Sequence, residues 1–400
     1  MIDAIVEYQG QIESFPVRSE VAPGYLRLRL PESPPEKPET LDSVLSDVKK
    51  HILPGLTHWQ HPSFFAWFPA HTSSPALFAD MLSNALGIIG FSWISSPAAT
   101  ELETIVMDWV AQLFDLPAVF RSSGGKGGGV IEGTASESCL CAMLAAKARI
   151  LHQKPHTDPL KLVAYTSDQA HSCVKKACMV AGVQHFRLVP TSAEHAWSLQ
   201  AAALERQIAL DLKEGLIPFF VSATLGTTSS CAVDDIPRIA DVAKDRGLWL
   251  HVDSAYAGVF AALPELRDNF KGLDKADSFC TNLHKSMLVT FDCVAMTQGF
   301  AELVEADERF ELAAPPAFGL VCFRRKGDDN AASAAFLEAI NATGRAFMVH
   351  TVLGGKHVLR MAAGSANQQW HHLEGLWKLV VEVANAERGE CAKRQRAEDS

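Results

Sequence analysis

The chain has no excess of basic residues: 36 Lys and Arg face 46 Asp and Glu, a net charge of −10 over 400 residues. Its Lys and Arg are scattered, which argues against nucleic acid or an anionic membrane as a main partner. It has no CxxC pair; nine cysteines fall at irregular spacings, with Cys139 and Cys141 two apart. An odd count without a framework fits free thiols and a cytoplasmic setting. No apolar run approaches the roughly 18 residues of a membrane span. The longest candidate, 85–93, holds two glycines and is expected to be a buried segment or a loop. Met1-Ile2-Asp3-Ala4 lacks a basic n-region and an apolar h-region, so no signal peptide is expected. There is no internal repeat, and Lys126 among its glycines is not a nucleotide-binding loop, because no Gly-Lys-Ser/Thr follows.

What is present is a 48% hydrophobic chain, long enough for one large core and a smaller domain. Residues 31–40 are proline-rich and polar and read as an extended linker. Thr40 can cap a helix from Leu41 to about His51, and 58–75 fits neither helical nor strand period and reads as loop. Residues 98–115 show apolar positions at helical spacing. Beyond them, helices over 136–151, 172–181, 201–214 and 236–246 alternate with strands over 162–165, 185–188, 218–224, 248–253, 278–282 and 293–296. The alternation predicts an α/β fold whose mostly parallel central sheet carries helices on both faces. Strands over 318–324 and 357–361, with helices near 331–342 and 367–386, predict a small C-terminal α+β domain. The expected divisions are an N-terminal segment 1–79, a large domain 80–300, a small domain 301–386, and a charged tail 387–400 that frays.

Four segments carry chemistry. Gly127 to Ser138 is a glycine-rich turn that opens a helix, and such a helix start suits a phosphate. His171, after the strand 162–165, lies where open sheets place ligands and can stack on a flat ring. Asp253 ends a strand and needs a cationic partner if buried. A metal would pair His251 with Asp253, but no third ligand sits at suitable spacing, so no metal is expected. Lys285 follows another strand; a Schiff-base lysine needs a dry pocket and a lowered pKa. Thr224-Leu225-Gly226-Thr227-Thr228 adds a small-residue turn just past the strand 218–224. Phosphate cradle, ring stack, pyridinium carboxylate and amine together are what one pyridoxal 5'-phosphate requires.

These residues, with Pro54-Gly55-Leu56-Thr57-His58-Trp59, His61-Pro62-Ser63-Phe64-Phe65-Ala66-Trp67-Phe68-Pro69, Gly133-Thr134-Ala135-Ser136-Glu137, His251-Val252-Asp253-Ser254-Ala255-Tyr256 and Asn282-Leu283-His284-Lys285, carry a resemblance. From about residue 10 to 386 the chain resembles the group II pyridoxal-phosphate-dependent decarboxylases, in the branch acting on aromatic L-amino acids (tyrosine, tryptophan, dihydroxyphenylalanine). The resemblance implies the type I transferase fold and a homodimer wrapped by the N-terminal segment, with the active site at the subunit interface. Lys285 would be the Schiff-base amine, Asp253 the partner of the pyridine nitrogen, and His171 and Ala255 the two faces of the ring sandwich. Thr134, Ala135, Ser136, Asn282 and His284 would hold the phosphate, with Thr228 close by. Trp59, Trp67, Phe68, Ile88 and Phe91 would line the aromatic substrate's pocket.

The chain departs from that pattern at four places. Leu283 stands where relatives carry Pro, Ser286 where they carry Trp, and Ala70 where Thr is frequent. After Met296 the chain passes through Thr297-Gln298-Gly299-Phe300 directly to Ala301, which resembles the start of the small domain. A long stretch is missing there, including the loop tyrosine that relatives use to protonate Cα. Two further readings follow: a catalytically impaired cofactor-binding paralogue or short isoform, and an aromatic aldehyde synthase.

Overall fold

The computed structural model describes residues 2–68, 70, 73–124, 127–287, 303–365 and 367–398, the side chains of 286 and 388–398 excepted. The expected strand 293–296 and the junction at 297–300 lie outside the described residues.

The large domain is built on five parallel strands, β1 (Leu162–Ser167), β2 (His185–Val189), β3 (Ile217–Thr224), β4 (Trp249–Asp253) and β5 (Ser278–Cys280), in the order β2-β1-β3-β4-β5. Strand β1 is buried along its whole length and β3 along all but its first residue, as parallel strands covered on both faces must be. Side chains alternate between the faces. Val163, Tyr165, Val221, Leu250 and Val252 pack with the helices Ala201–Lys213 and Ile236–Arg246. Leu162, Ala164 and Phe220 pack on the opposite face with Ala135–Gln153 and Cys173–Val180. The expected α/β architecture is the observed one.

The small domain is an antiparallel sheet of β6 (Phe310–Leu312), β7 (Leu320–Arg325), β8 (Val349–Leu353) and β9 (Lys356–Ala362), in the order β6-β7-β9-β8. Helices Asn330–Asn341 and Trp370–Glu398 cover it, enclosing Phe323, Phe336, Leu359, Leu373 and Leu376. Strands β6 and β8 are missing from the sequence reading: β6 has three residues, and β8 is half-exposed with a weak apolar signal. The tail does not separate at 387, since the last helix runs on to Glu398.

The N-terminal segment follows expectation up to residue 68 and departs from it beyond. The linker 31–40 is irregular, and Thr40 caps Leu41–Asp47 by accepting the Ser43 N–H. Residues 61–68, read as loop, are pinned to the small domain: Phe65 N–H donates to the Phe347 carbonyl and its own carbonyl accepts from Ala362. A helix, Ser74–Leu86, crosses the boundary placed at 79. Residues 87–93 then run as exposed loop. Among the described residues no helix is long and apolar enough to cross a membrane.

Phe220 is fully buried between β3 and the helix over 135–153. Phe220→Ala is expected to lower unfolding free energy by about 3–5 kcal/mol, read as an earlier midpoint in a urea titration followed by circular dichroism.

Candidate active site

Strand register builds the site. Thr224 on β3 pairs with Asp253 on β4, and Asp253 pairs with Cys280 on β5. Each is the last residue of its strand, so the three form a row along the carboxyl edge, where open α/β sheets bind ligands. The loops beyond are tied together: Ser254 N–H donates to the Cys280 carbonyl and Asn282 N–H to that of Ala255, both at 3.0 Å. A cavity with about 550 Å³ of empty space lies over this row.

One wall is the start of the helix Ala135–Gln153, contributed by Thr134, Ala135 and Ser136. Thr134 Oγ1 accepts the Glu137 N–H and the Glu137 carboxylate accepts the Thr134 N–H, both at 3.2 Å. This capping box leaves the N–H groups of Ala135 and Ser136 for an outside acceptor at the positive end of the helix. A Cβ at Gly133 would come within 2.6 Å of Glu137 Oε2, so a side chain there would displace the carboxylate of the capping box. Gly226, also on the cavity, has φ +82° and turns the chain closely past Ala257.

The floor is Asp253. It is buried, and its described hydrogen bonds come from neutral donors: the Ala255 N–H at 3.0 Å and the Cys280 thiol at 3.7 Å on Oδ1, and the Cys173 thiol at 3.9 Å on Oδ2. The neighbouring Thr224 hydroxyl is buried without a partner. A buried carboxylate held by neutral donors is stabilised by a cation placed against it, and the ring nitrogen of a protonated pyridine is such a cation.

Lys285 sits on the short helix Leu283–Ser286, its N–H bonded to the Asn282 carbonyl at 3.1 Å. Its Nζ lies 5.7 Å from the centroid of Phe68. Burial lowers its pKa below the ordinary lysine value, against the opposing pull of Asp253. His171, Thr228, Ala255 and Asn282 complete the lining. His171 is raised above its ordinary value chiefly by the Cys173 side chain, against burial. The remaining wall is an aromatic pair: Phe68 stacks on Tyr256 at 3.6 Å between centroids, and the Tyr256 hydroxyl donates to the Phe318 carbonyl. The buried Arg360 guanidinium of β9 stands 4.4 Å from the Phe68 centroid.

The structure therefore brings together Lys285, Asp253, His171, Thr134, Ala135, Ser136, Thr228, Ala255, Asn282 and Phe68. It does not bring His284 to this cavity: one helical residue before Lys285 it points about 100° away, into an adjoining cleft. Trp59 and Trp67 are likewise outside. Trp67 has φ +51°, faces away from its neighbour Phe68, and stacks on Trp59 at 5.2 Å. Ile88 and Phe91 lie on the exposed loop, Phe91 at 84% exposure. Cys173 was not singled out by sequence reasoning; its signal was its place two residues after His171, at the first position of a helix. The cavity residues fit pyridoxal phosphate: a helix start for the phosphate, a cation-seeking carboxylate for the ring nitrogen, and a desolvated amine.

Because the folded chain holds the Lys285 proton less tightly than the unfolded chain, stability gains from this group as pH rises from the lowered value to the ordinary one near 10.5. Asp253→Asn removes the group that opposes the shift, so the Lys285 pKa is expected to fall further. The pH dependence of Lys285 labelling by an amine-reactive reagent, read by mass spectrometry, checks this; an unchanged or higher midpoint contradicts it.

Residues 23–298 match the pyridoxal-dependent decarboxylase conserved domain. The chain is 39% identical over 463 aligned residues to phenylacetaldehyde synthase of Arabidopsis thaliana, covering 96% of this chain and 94% of that protein. The alignment is longer than this chain's 400 residues, so that relative carries residues with no counterpart here. The structure superposes on Catharanthus roseus tryptophan decarboxylase in complex with L-tryptophan with a TM-score of 0.93, at 38% identity, covering 96% of this chain and 97% of that one. It superposes on the Oryza sativa enzyme TDC with PLP and tryptamine with a TM-score of 0.92, at 34% identity and 96% coverage of both chains. A shared domain over most of the chain, relatives aligned nearly end to end, and a cavity fitted to the same cofactor lead to one conclusion: the chain belongs to the pyridoxal-dependent decarboxylase family.

Proposed function

We propose that this protein decarboxylates an aromatic L-amino acid to the arylalkylamine and CO2, with pyridoxal 5'-phosphate as cofactor. One observation carries the reading: Lys285, the neutral-donor-bound carboxylate of Asp253 and the open start of the helix at Thr134–Ser136 face one cavity. When bound, the pyridoxal ring accepts the electron pair left on Cα as CO2 departs. Asp253 would keep a proton on the ring nitrogen, and the Ala135 and Ser136 N–H groups would hold the phosphate. Lys285, whose pKa burial lowers, would be the covalent anchor and a proton carrier at Nζ. His171 and Ala255, both on the cavity lining, would confine the ring. The Phe68–Tyr256 stack keeps water from the substrate carboxylate, which favours loss of its charge. The absence of a basic cluster among the lining residues agrees with an aromatic rather than an acidic side chain.

The proposed assembly is a homodimer. The helix Ser74–Leu86 buries none of its residues, and Phe78, Leu86, Phe91, Trp93 and Ile94 are each more than half exposed. An apolar face of this extent is characteristic of an interface, and a second copy across it is the proposed route by which Ile88 and Phe91 meet a substrate. The proposed setting is cytoplasmic, supported by the free cysteines. An aldehyde-forming reading is kept by the phenylacetaldehyde synthase relative, and an impaired one by the shortened chain after Met296.

With pyridoxal phosphate added, CO2 and arylalkylamine are expected from tryptophan, tyrosine or dihydroxyphenylalanine, and Lys285→Ala is expected to fall to the background of free cofactor. Asp253→Ala should lower kcat by roughly 10²–10³, the scale of losing one electrostatic stabiliser of developing charge. Aldehyde and peroxide in place of amine would move the assignment to aldehyde synthesis. Bound cofactor without turnover would move it to an impaired paralogue. Sedimentation equilibrium reads the assembly: a mass of twice 43.4 kDa is expected, and a mass of 43.4 kDa would overturn the dimer.

A further inference from the structure

A buried cation stands beside the cavity wall without a part in the proposed reaction. Arg360 lies within β9 and is only 3% exposed. Its strand neighbours Val358 and Ala362 belong to the apolar core shared with the large domain. Arg360 thus takes a position that alternation would give to an apolar side chain. Cys322 pairs with it across β7. Its Nε and Nη2 have no hydrogen-bond partner among the described residues. The titratable groups that face it are Cys322, Cys231 and Tyr256, none of them a carboxylate. Burying a charge in such surroundings destabilises the fold, and no ion pair offsets it.

What Arg360 does touch is Phe68, a residue of the cavity lining. Its guanidinium carbon lies over the ring, 4.4 Å from the centroid. Tyr256 stacks on the same ring at 3.6 Å and 10°. That fills one face of Phe68 and leaves the other to the guanidinium. Phe68 needs such a hold. It follows Trp67, whose φ of +51° lies in the left-handed region, a conformation that a bulky residue keeps only where its surroundings impose it. The backbone of this segment is held by the same strand, since the Ala362 N–H donates to the Phe65 carbonyl at 3.0 Å. Positions 360 and 362 of β9 therefore hold the segment by side chain and by main chain. Lys285 Nζ is 5.7 Å from the centroid of the clamped ring.

We propose that Arg360 is a positioning residue: its guanidinium clamps the Phe68 ring against Tyr256 and so sets the cavity wall beside Lys285. A cation over an aromatic face is attracted by the ring quadrupole, and most strongly where both are removed from water. Arginine suits the place because its planar, weakly hydrated guanidinium stacks on a ring. A charge that weakens the fold while it serves the site is the trade-off that functional residues show. The effect of the clamp on turnover rests on the function proposed above; the clamp itself does not.

The test compares Arg360→Met, Arg360→Lys and Phe68→Leu with the parent chain. In cofactor-free Arg360→Met, hydrogen exchange read by mass spectrometry is expected to speed up in peptides covering 64–68 and to stay unchanged in β1. Its urea midpoint should hold or rise, because an unpaired buried charge is gone. Lys285 is faced by Asp253, Cys280, Cys173 and Arg360; burial chiefly lowers its pKa, Arg360 adds to that, and the other three oppose. The pH midpoint of Lys285 labelling should therefore rise in Arg360→Met, opposite to Asp253→Asn, and stay in Arg360→Lys. With pyridoxal phosphate and substrate, kcat of Arg360→Met should fall about tenfold with KM little changed, the scale of one desolvated cation–π contact. Arg360→Lys should recover part of that loss. In the Phe68→Leu background, Arg360→Met should change kcat little further. Unchanged exchange over 64–68, or faster exchange throughout with a lower urea midpoint, overturns the clamp. A rise in KM alone overturns it in favour of direct substrate binding, and additive losses in the double variant overturn the route through Phe68. If the parent chain turns over no substrate, the functional reading fails while exchange and labelling still decide the clamp.

Discussion

The site depends on the pairing register of three parallel strands. Thr224, Asp253 and Cys280 are neighbours only because β3, β4 and β5 end in step. A slip of one residue would turn Asp253 to the opposite face of the sheet, into the apolar layer where Val252 now packs. The register is fixed from both sides, since the β4 and β3 side chains alternate between two closed cores. The apolar packing that holds the large domain therefore also aims Asp253 at the cavity.

The central sheet was legible because parallel strands buried on both faces are near-continuous apolar runs separated by amphipathic helices. The five strands and the covering helices fall within a few residues of where periodicity puts them. The chemistry was legible for a related reason: Asp253, Lys285 and Thr134 each sit where an element ends, and element ends are marked in sequence by small and polar residues. What sequence periodicity could not give was direction. His284 and Trp67 are adjacent to cavity residues in the chain, yet each faces the other way, one because of helical rotation and the other because of a left-handed backbone. Strands β6 and β8 were hidden by brevity and half-exposure, and the segment 61–68 by the fact that its partners lie in the small domain.

The cavity combines a desolvated amine, a carboxylate bound by neutral donors and an open helix start. The amine and the carboxylate are destabilised by isolation from water, and all three groups are matched by parts of one ligand. Such a site favours occupancy because its own groups are incompletely satisfied without it. The thiols around Asp253 fit this pattern: they donate weakly, holding the carboxylate in place without neutralising the charge that a cation is to meet.

The aromatic wall has a consequence for the order in which the chain assembles. Phe68 comes from the N-terminal segment, Tyr256 from the large domain, and the Phe318 carbonyl and Arg360 from the small domain. These contacts join parts of the chain that are distant in sequence, so they form only after long loops have closed. The wall is therefore among the last features of the molecule to be completed, and the water-excluding side of the cavity exists only in a chain whose three parts have already docked.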